Sequence, residues 1–217
     1  MAPDAEPPGT RAHYDRSEQE FSRATAFFDA TFAIAATLLV TTIVLTDADW
    51  SSWSSLWNAA SGPLIAFGIS FAVVVSYWKS NHDFVRSLQQ ISSRFVLVML
   101  VMLAFVALLP VPTRALGEDL GDRQVVVVVY AINVAVISAT EWVCYRVAIG
   151  QGLLRRVPDA AEIRVSTVNQ LIPSAVFVAS VPITLLVGAT AGQLSWLSLA
   201  VLMPLAGVWA ARTTGTD

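Results

Sequence analysis

Six long apolar runs, with the charged residues confined to short stretches between them, decide most of what this chain can become. A helix needs about 20 consecutive apolar residues to cross the hydrocarbon of a bilayer. The runs lie at roughly 23–45, 56–78, 94–109, 124–147, 165–189 and 194–211. Charged residues make up 13% of the 217 positions, against about 25% in ordinary soluble domains. Mean hydropathy is +0.63. Six spans consume roughly 120 residues, which leaves short loops and tails and no separate soluble domain. The expected fold is an all-α integral membrane protein with six transmembrane helices per subunit.

The domain organisation follows from the same pattern. Residues 1–22 carry Pro7, Pro8, acids, Arg11 and Arg16, and are expected to form a disordered cytoplasmic tail and not a signal peptide. Residues 23–212 form the six-helix domain, and 213–217 a short C-terminal tail. The second run has Gly62-Pro63 near its start, where the missing proline N–H leaves no carbonyl unpaired. The third is expected to stop at Pro110-Val-Pro112. Val125 to Val129 read as part of a β-branched membrane helix, because the run around them is too long for a strand. Pro173 and Pro182, with Asn169-Gln170, are expected to kink or shorten the fifth span, and Pro204 lies in the sixth.

Orientation is read from the basic residues. With the N-terminus inside, Arg11, Arg16, Arg23, Lys79, Arg86, Arg94, Arg146, Arg155, Arg156, Arg164 and Arg212 fall on one side. Arg114 and Arg123 fall on the other. Such asymmetry across short loops places the basic side, and with it both termini, in the cytoplasm. The outer loops carry Asp47, Asp49, Glu118, Asp119 and Asp122, which draw cations or are simply solvated. Trp50, Trp53 and Trp57 suit an outer aromatic belt, Trp142 and Trp209 an inner one. The expected location is the cell (plasma) membrane, as a multi-pass protein with the lipid bilayer as its solvent.

Several function classes lack material. No basic block is longer than Arg155-Arg156, so no nucleic-acid partner is expected. His13 and His82 are the only histidines and Cys144 the only cysteine. That set supplies neither a catalytic constellation nor a metal cluster, so the chain is read as no enzyme, with no cofactor and no resident metal.

The first run is chemically unusual. Steps of three and four residues from Arg23 give Phe27, Ala30, Ile34, Leu38, Thr41 and Leu45, one face of a helix. Thr31, Thr37 and Thr42 flank that stripe, and small alanines fill much of the remainder. Packing against other helices is the ordinary use of such a stripe. Arg23 and Asp29 are less ordinary, since a charge within a span costs at least about 2.5–3.5 kcal/mol and turns toward a partner or a polar path. Arg23 reaches the inner interface, whereas Asp29 is one to two turns deeper. Asn81 and His82 past the second run, and Glu141 on the fourth, are available partners at that depth. A structural polar clamp holding helices together accounts for these charges better than a proton relay does.

The segment from Arg23 to Leu39, with Phe27, Asp29, Ala33-Ile34 and Thr37-Leu38-Leu39 in step, resembles the first-helix signature of the transmembrane protein 175 family of potassium channels. Phe28 stands where that signature has Ser. Trp78 with Asn81-His82, and Leu109-Pro110 closing the third run, are weaker echoes. The resemblance implies a homotetramer with four first helices around a potassium-conducting pore. It implies Ile34, Leu38 and Thr41 as the constriction, Thr37 as the selectivity hydroxyl, and Phe27 as a signature position. It also implies Arg23, Asp29 and His82 as an inner polar network, with potassium bound only in transit. No Thr-Val-Gly-Tyr-Gly filter run occurs, which fits a helix-lined pore. The alternatives left open are a secondary transporter, which the irregular fifth span suggests, and a non-conducting membrane scaffold.

Overall fold

A computed structural model describes residues 13–45, 50–118 and 122–214. Its helices are α1 (Gln19–Leu38), α2 (Trp53–Ser87), α3 (Ser93–Leu108), α4 (Pro110–Gly117), α5 (Gln124–Gly150), α6 (Ala160–Val187), α7 (Ala189–Ser195) and α8 (Leu199–Thr214). Two short strands, β1 (His13–Asp15) and β2 (Gln90–Ser92), pair antiparallel. Helix is the form that satisfies its own backbone hydrogen bonds in hydrocarbon. Among the described residues, six segments are long and apolar enough to cross a membrane: 19–42, 53–87, 93–117, 124–150, 160–187 and 189–213. The expected number of spans is met.

Helix α5 forms the centre of the subunit. Val127, Tyr130, Ala131, Val134, Ile137, Ser138, Cys144 and Ala148 are buried along it, against α3 on one side and α6 on the other. Tyr130 stacks on Trp196 at 5.0 Å between ring centroids, with Phe177 closing the cluster. The five valines are helical, as expected. Helix α1 docks on α2 and α3, while α6 and α8 lie at the periphery.

The structure departs from the sequence reading in several places. Residues 13–22 are folded, not a disordered tail: β1 pairs with β2 and α1 begins at Gln19. Residues 1–12, including Arg11, lie outside the described residues, as do Asp47, Asp49, Asp119 and residues 215–217. Helix α2 runs well past the apolar limit at Trp78, because the pair Lys79–Asp83 at 2.9 Å spans one turn and Arg86 suits a helix C-terminus. Since α2 starts at Trp53, capped by Ser52, Pro63 is interior to the helix and not in its first turn. Pro110 does not stop the third span. It occupies the first position of α4, where its missing N–H leaves no bond unmade, and the Thr113 amide reaches the Leu109 carbonyl at 3.1 Å. The two prolines of α6 leave it unbroken from Ala160 to Val187. Near Pro173, the Ser138 hydroxyl of α5 donates to the Gln170 carbonyl at 2.7 Å, which ties α6 to α5 beside the proline. The last span, by contrast, is interrupted by a 3-10 turn at Trp196–Ser198.

At the basic end the loops form a collar. Arg16 donates to the carbonyls of Val85, Arg86 and Leu88 at 3.4, 3.3 and 3.0 Å, covering acceptors that the end of α2 leaves open. Its guanidinium also lies 5.3 Å from the Phe21 ring centroid. Gln89 donates through its amide to Leu153 at 2.9 Å, and Arg155 through its amide to Ser87 at 2.9 Å. These bonds tie the N-terminal segment, the α2–α3 turn and the α5–α6 loop together.

At the opposite end α2 and α4 touch backbone to backbone. A Cβ on Gly117 would sit 2.8 Å from Pro63 Cα and 3.3 Å from Ala66 Cβ. Gly117→Ala is therefore expected to destabilise by about 1–3 kcal/mol, the usual cost of overpacking. Gly68→Ala on α2 meets nothing within 4 Å and should be neutral, or stabilising by up to about 1 kcal/mol. Thermal unfolding of the two purified variants in one detergent separates these outcomes.

Candidate ion-conduction face

Helix α1 has two unlike faces. Phe21, Phe28, Phe32, Ala35 and Leu39 are buried and join the core shared with α2, α3 and α5. The opposite face is open. Arg23, Phe27, Ala30, Ile34, Leu38 and Thr41 are exposed at every step, as are Ala26, Ala33 and Thr37 beside them. Ile34 is 58% exposed and Phe27 54%. The stripe read from the sequence is thus the part of α1 that its own subunit leaves uncovered. Thr31 is half-buried and Thr42 fully buried on the core side, so of the flanking hydroxyls only Thr37 belongs to the open face.

The threonines are oriented by their own helix. Thr37 Oγ1 donates to the Ile34 carbonyl at 2.8 Å, and Thr41 Oγ1 to the Leu38 carbonyl at 2.7 Å. A hydroxyl that spends its proton on the backbone presents lone pairs to whatever approaches from outside. Such a group receives a cation or a water proton and repels an anion. The turn after α1, Leu39–Thr42, tightens into a 3-10 helix, consistent with side-chain bonds to carbonyls three residues back.

Of the three residues expected in an inner polar network, Asp29 and His82 are brought together through a residue outside that set, Trp78. The Trp78 indole N–H donates to Asp29 Oδ1 at 3.1 Å, and the Trp78 ring lies against His82 with centroids 5.5 Å apart. Asp29, Trp78 and His82 thereby join α1 to α2. Trp78 is the member not assigned to the site from sequence; its signal was the short Trp-to-His spacing, which places the two rings on adjacent turns of one helix. Arg23 does not join this group. It sits on the open stripe, and no side chain among the described residues pairs with it. Glu141, offered above as a partner for the first helix, is buried in α5 and hydrogen-bonds Ser80 of α2 instead. Phe28 is 1% exposed and fills the subunit interior. The departure from the signature therefore lies in the core and leaves the open face unaltered.

Residues 23–110 match the family described as endosomal/lysosomal potassium channel TMEM175. The match covers the open face of α1, the Asp29–Trp78–His82 group and the third span up to Pro110, and it is the family expected from the Arg23-to-Leu39 pattern. A protein named as a potassium channel from Streptomyces collinus is 30% identical over 110 residues, 48% of this chain and 52% of that one. The chain thus aligns with about half the length of this curated relative. Among solved structures, the Chamaesiphon minutus homologue of the lysosomal potassium-selective channel TMEM175 superposes with a TM-score of 0.66 at 24% identity, covering 90% of this chain and 99% of that one. A variant of the potassium channel MtTMEM175, in complex with a nanobody–MBP fusion, gives 0.61 at 20% identity over 98% and 99% of the two chains. At these identities the likeness is one of fold. It extends over nearly the whole chain.

The Asp29–Trp78 bond generates a prediction. Trp78→Phe keeps an aromatic ring beside His82 but removes the donor, and is expected to cost about 1 kcal/mol. Asp29→Ala combined with Trp78→Phe should be little worse than the more damaging single change, because both remove one bond. Full additivity in a thermal double-mutant cycle would show that the two side chains act separately.

Proposed function

We propose that the chain is a potassium-selective cation channel, modestly selective over sodium, in which the open face of α1 lines the pore. The observation that carries this reading is the continuous uncovered stripe from Arg23 to Thr41 on a helix whose other face is locked into the core. One subunit presents one wall, so the pore closes around the axis of a homo-oligomer, and four copies fit the family resemblance. The basic residues gathered at the collar end support cytoplasmic termini, in the cell membrane.

In this arrangement Ile34 forms the main constriction, with Leu38 and Thr41 the next layers outward. A ring of isoleucine side chains closes a narrow path by excluding water, since methyl groups replace none of an ion's hydration oxygens. Thr37, one residue from the constriction layer at Leu38, offers an outward hydroxyl oxygen that substitutes for part of that shell when the path widens. One ring of hydroxyls presents a weaker field than stacked carbonyls, so potassium preference is real but limited. Arg23 stands at the inner mouth of the stripe. Asp29, held by Trp78 and backed by His82, braces α1 against α2 and keeps the pore face in place. Phe27 lies on the open face one turn inward of Thr31 and borders the inner vestibule.

The test is electrical. Purified protein in planar bilayers under a potassium gradient should give currents that reverse toward the potassium potential. Ile34→Ala should enlarge single-channel conductance, and Thr37→Ala or Thr37→Val should erode potassium over sodium preference severalfold while leaving the protein folded. Unchanged conductance in Ile34→Ala would remove Ile34 from the constriction. Saturable coupled exchange would point to a transporter, and silence in every condition to a scaffold.

A further inference from the structure

We propose that a cleft between the inner ends of α3 and α5 holds the phosphate of an anionic phospholipid. Arg94 in the first turn of α3 and Arg146 in the last turns of α5 line a cavity of about 370 Å³, together with Trp142 and Gln151. Both arginines are exposed, and no carboxylate lines the cavity. Among the described residues neither guanidinium has a hydrogen-bond or ion-pair partner, unlike several of its neighbours. Lys79 is paired with Asp83, Arg156 with Glu162, and Arg16 and Arg155 with backbone carbonyls. Two uncommitted positive charges facing one cleft make a phosphate the complementary occupant.

The neighbours add donors and no acceptor of comparable strength. Ser92 donates its hydroxyl to Gln151 Oε1 at 2.5 Å, so what remains of that amide is its NH2. The same serine caps the Phe95 amide at 3.1 Å, and the α3 N-terminus directs its positive end toward this region.

An apolar floor selects a lipid over a free anion. One and two turns from Arg94, on the same face of α3, Leu97 and Val101 are exposed. On α5, Val143 lies one turn from Arg146 and lines the cleft. These side chains run from the charged mouth toward the middle of the span, as the acyl chains of a lipid do. Trp142 has the amphipathic shape that favours the headgroup level. A phospholipid with a net negative headgroup satisfies both ends of the cleft; a zwitterionic one places its own cation against the arginines.

Native mass spectrometry of the full chain in detergent, titrated with dioleoylphosphatidylglycerol or dioleoylphosphatidylcholine, tests this. The anionic lipid should give the higher occupancy, and excess inorganic phosphate should not displace it. The double variant Arg94→Gln, Arg146→Gln should lose anionic-lipid occupancy by roughly tenfold or more, and Arg94→Lys with Arg146→Lys should recover part of it. Arg164→Gln, at the same end but outside the cleft, should bind as the parent does. Equal binding of the two lipids by the parent, or unchanged binding by the glutamine variant, would overturn the proposal. Displacement by inorganic phosphate would replace it with a free-anion site. Should the glutamine variant misfold, the lipid comparison on the parent and the lysine variant still decide.

Discussion

Hydrocarbon offers a peptide backbone no hydrogen-bond partner, and the rest of this structure depends on that constraint. It makes helix the form of every span, and it explains what happens where helix chemistry is interrupted. Beside Pro173 the Ser138 hydroxyl of α5 gives the Gln170 carbonyl a donor from a neighbouring helix. Pro110 is tolerated because it begins a helical turn in place of breaking one. At the ends of the spans, where carbonyls run out of partners, Arg16 supplies them from a distant part of the chain. The irregular features sit where another side chain or the helix geometry has absorbed their cost.

The second organising fact is the asymmetry of α1. Its aromatic side is anchored by Phe21, Phe28 and Phe32 in the core, which leaves its Ile, Leu and Thr side without a cover in the subunit. A rigid helix with one face pinned and one face free is suited to meeting its own copies around an axis. Asp29 strengthens this arrangement from the flank, since its bond to Trp78 fixes the rotation of α1 relative to α2. The hydroxyls of Thr37 and Thr41, committed to their own backbone, keep the polarity of the free face uniform.

The collar at the basic end does a different job. Three segments distant in sequence meet there through backbone bonds and the short β1–β2 pair. Most of the charges in this region are used within the collar or on helix surfaces. Arg94 and Arg146 are set apart in the cleft between the ends of α3 and α5. A membrane protein's charged rim thus divides into residues that hold the fold and residues left to face an anionic partner.

Much of this was determined by the sequence alone. Run length and charge placement specified six spans, because the thickness of a bilayer sets a minimum apolar length that few other folds require. Helical spacing picked out the Arg23-to-Thr41 stripe, and its residues pointed to the TMEM175 family. Other features were decided only by tertiary structure. Composition cannot distinguish a lipid-facing leucine from a packed one, so nothing in the chain said which side of α1 the subunit would leave open. The partner of Asp29 depended on how α2 lay against α1, and Trp78 took a place that Glu141 was equally able to fill by depth. Helix α2 outran its apolar run because a charged turn stabilised by Lys79 and Asp83 is as helical as a greasy one. The first span's stripe was legible because periodicity is local. Its exposure was not, because burial is a property of neighbours.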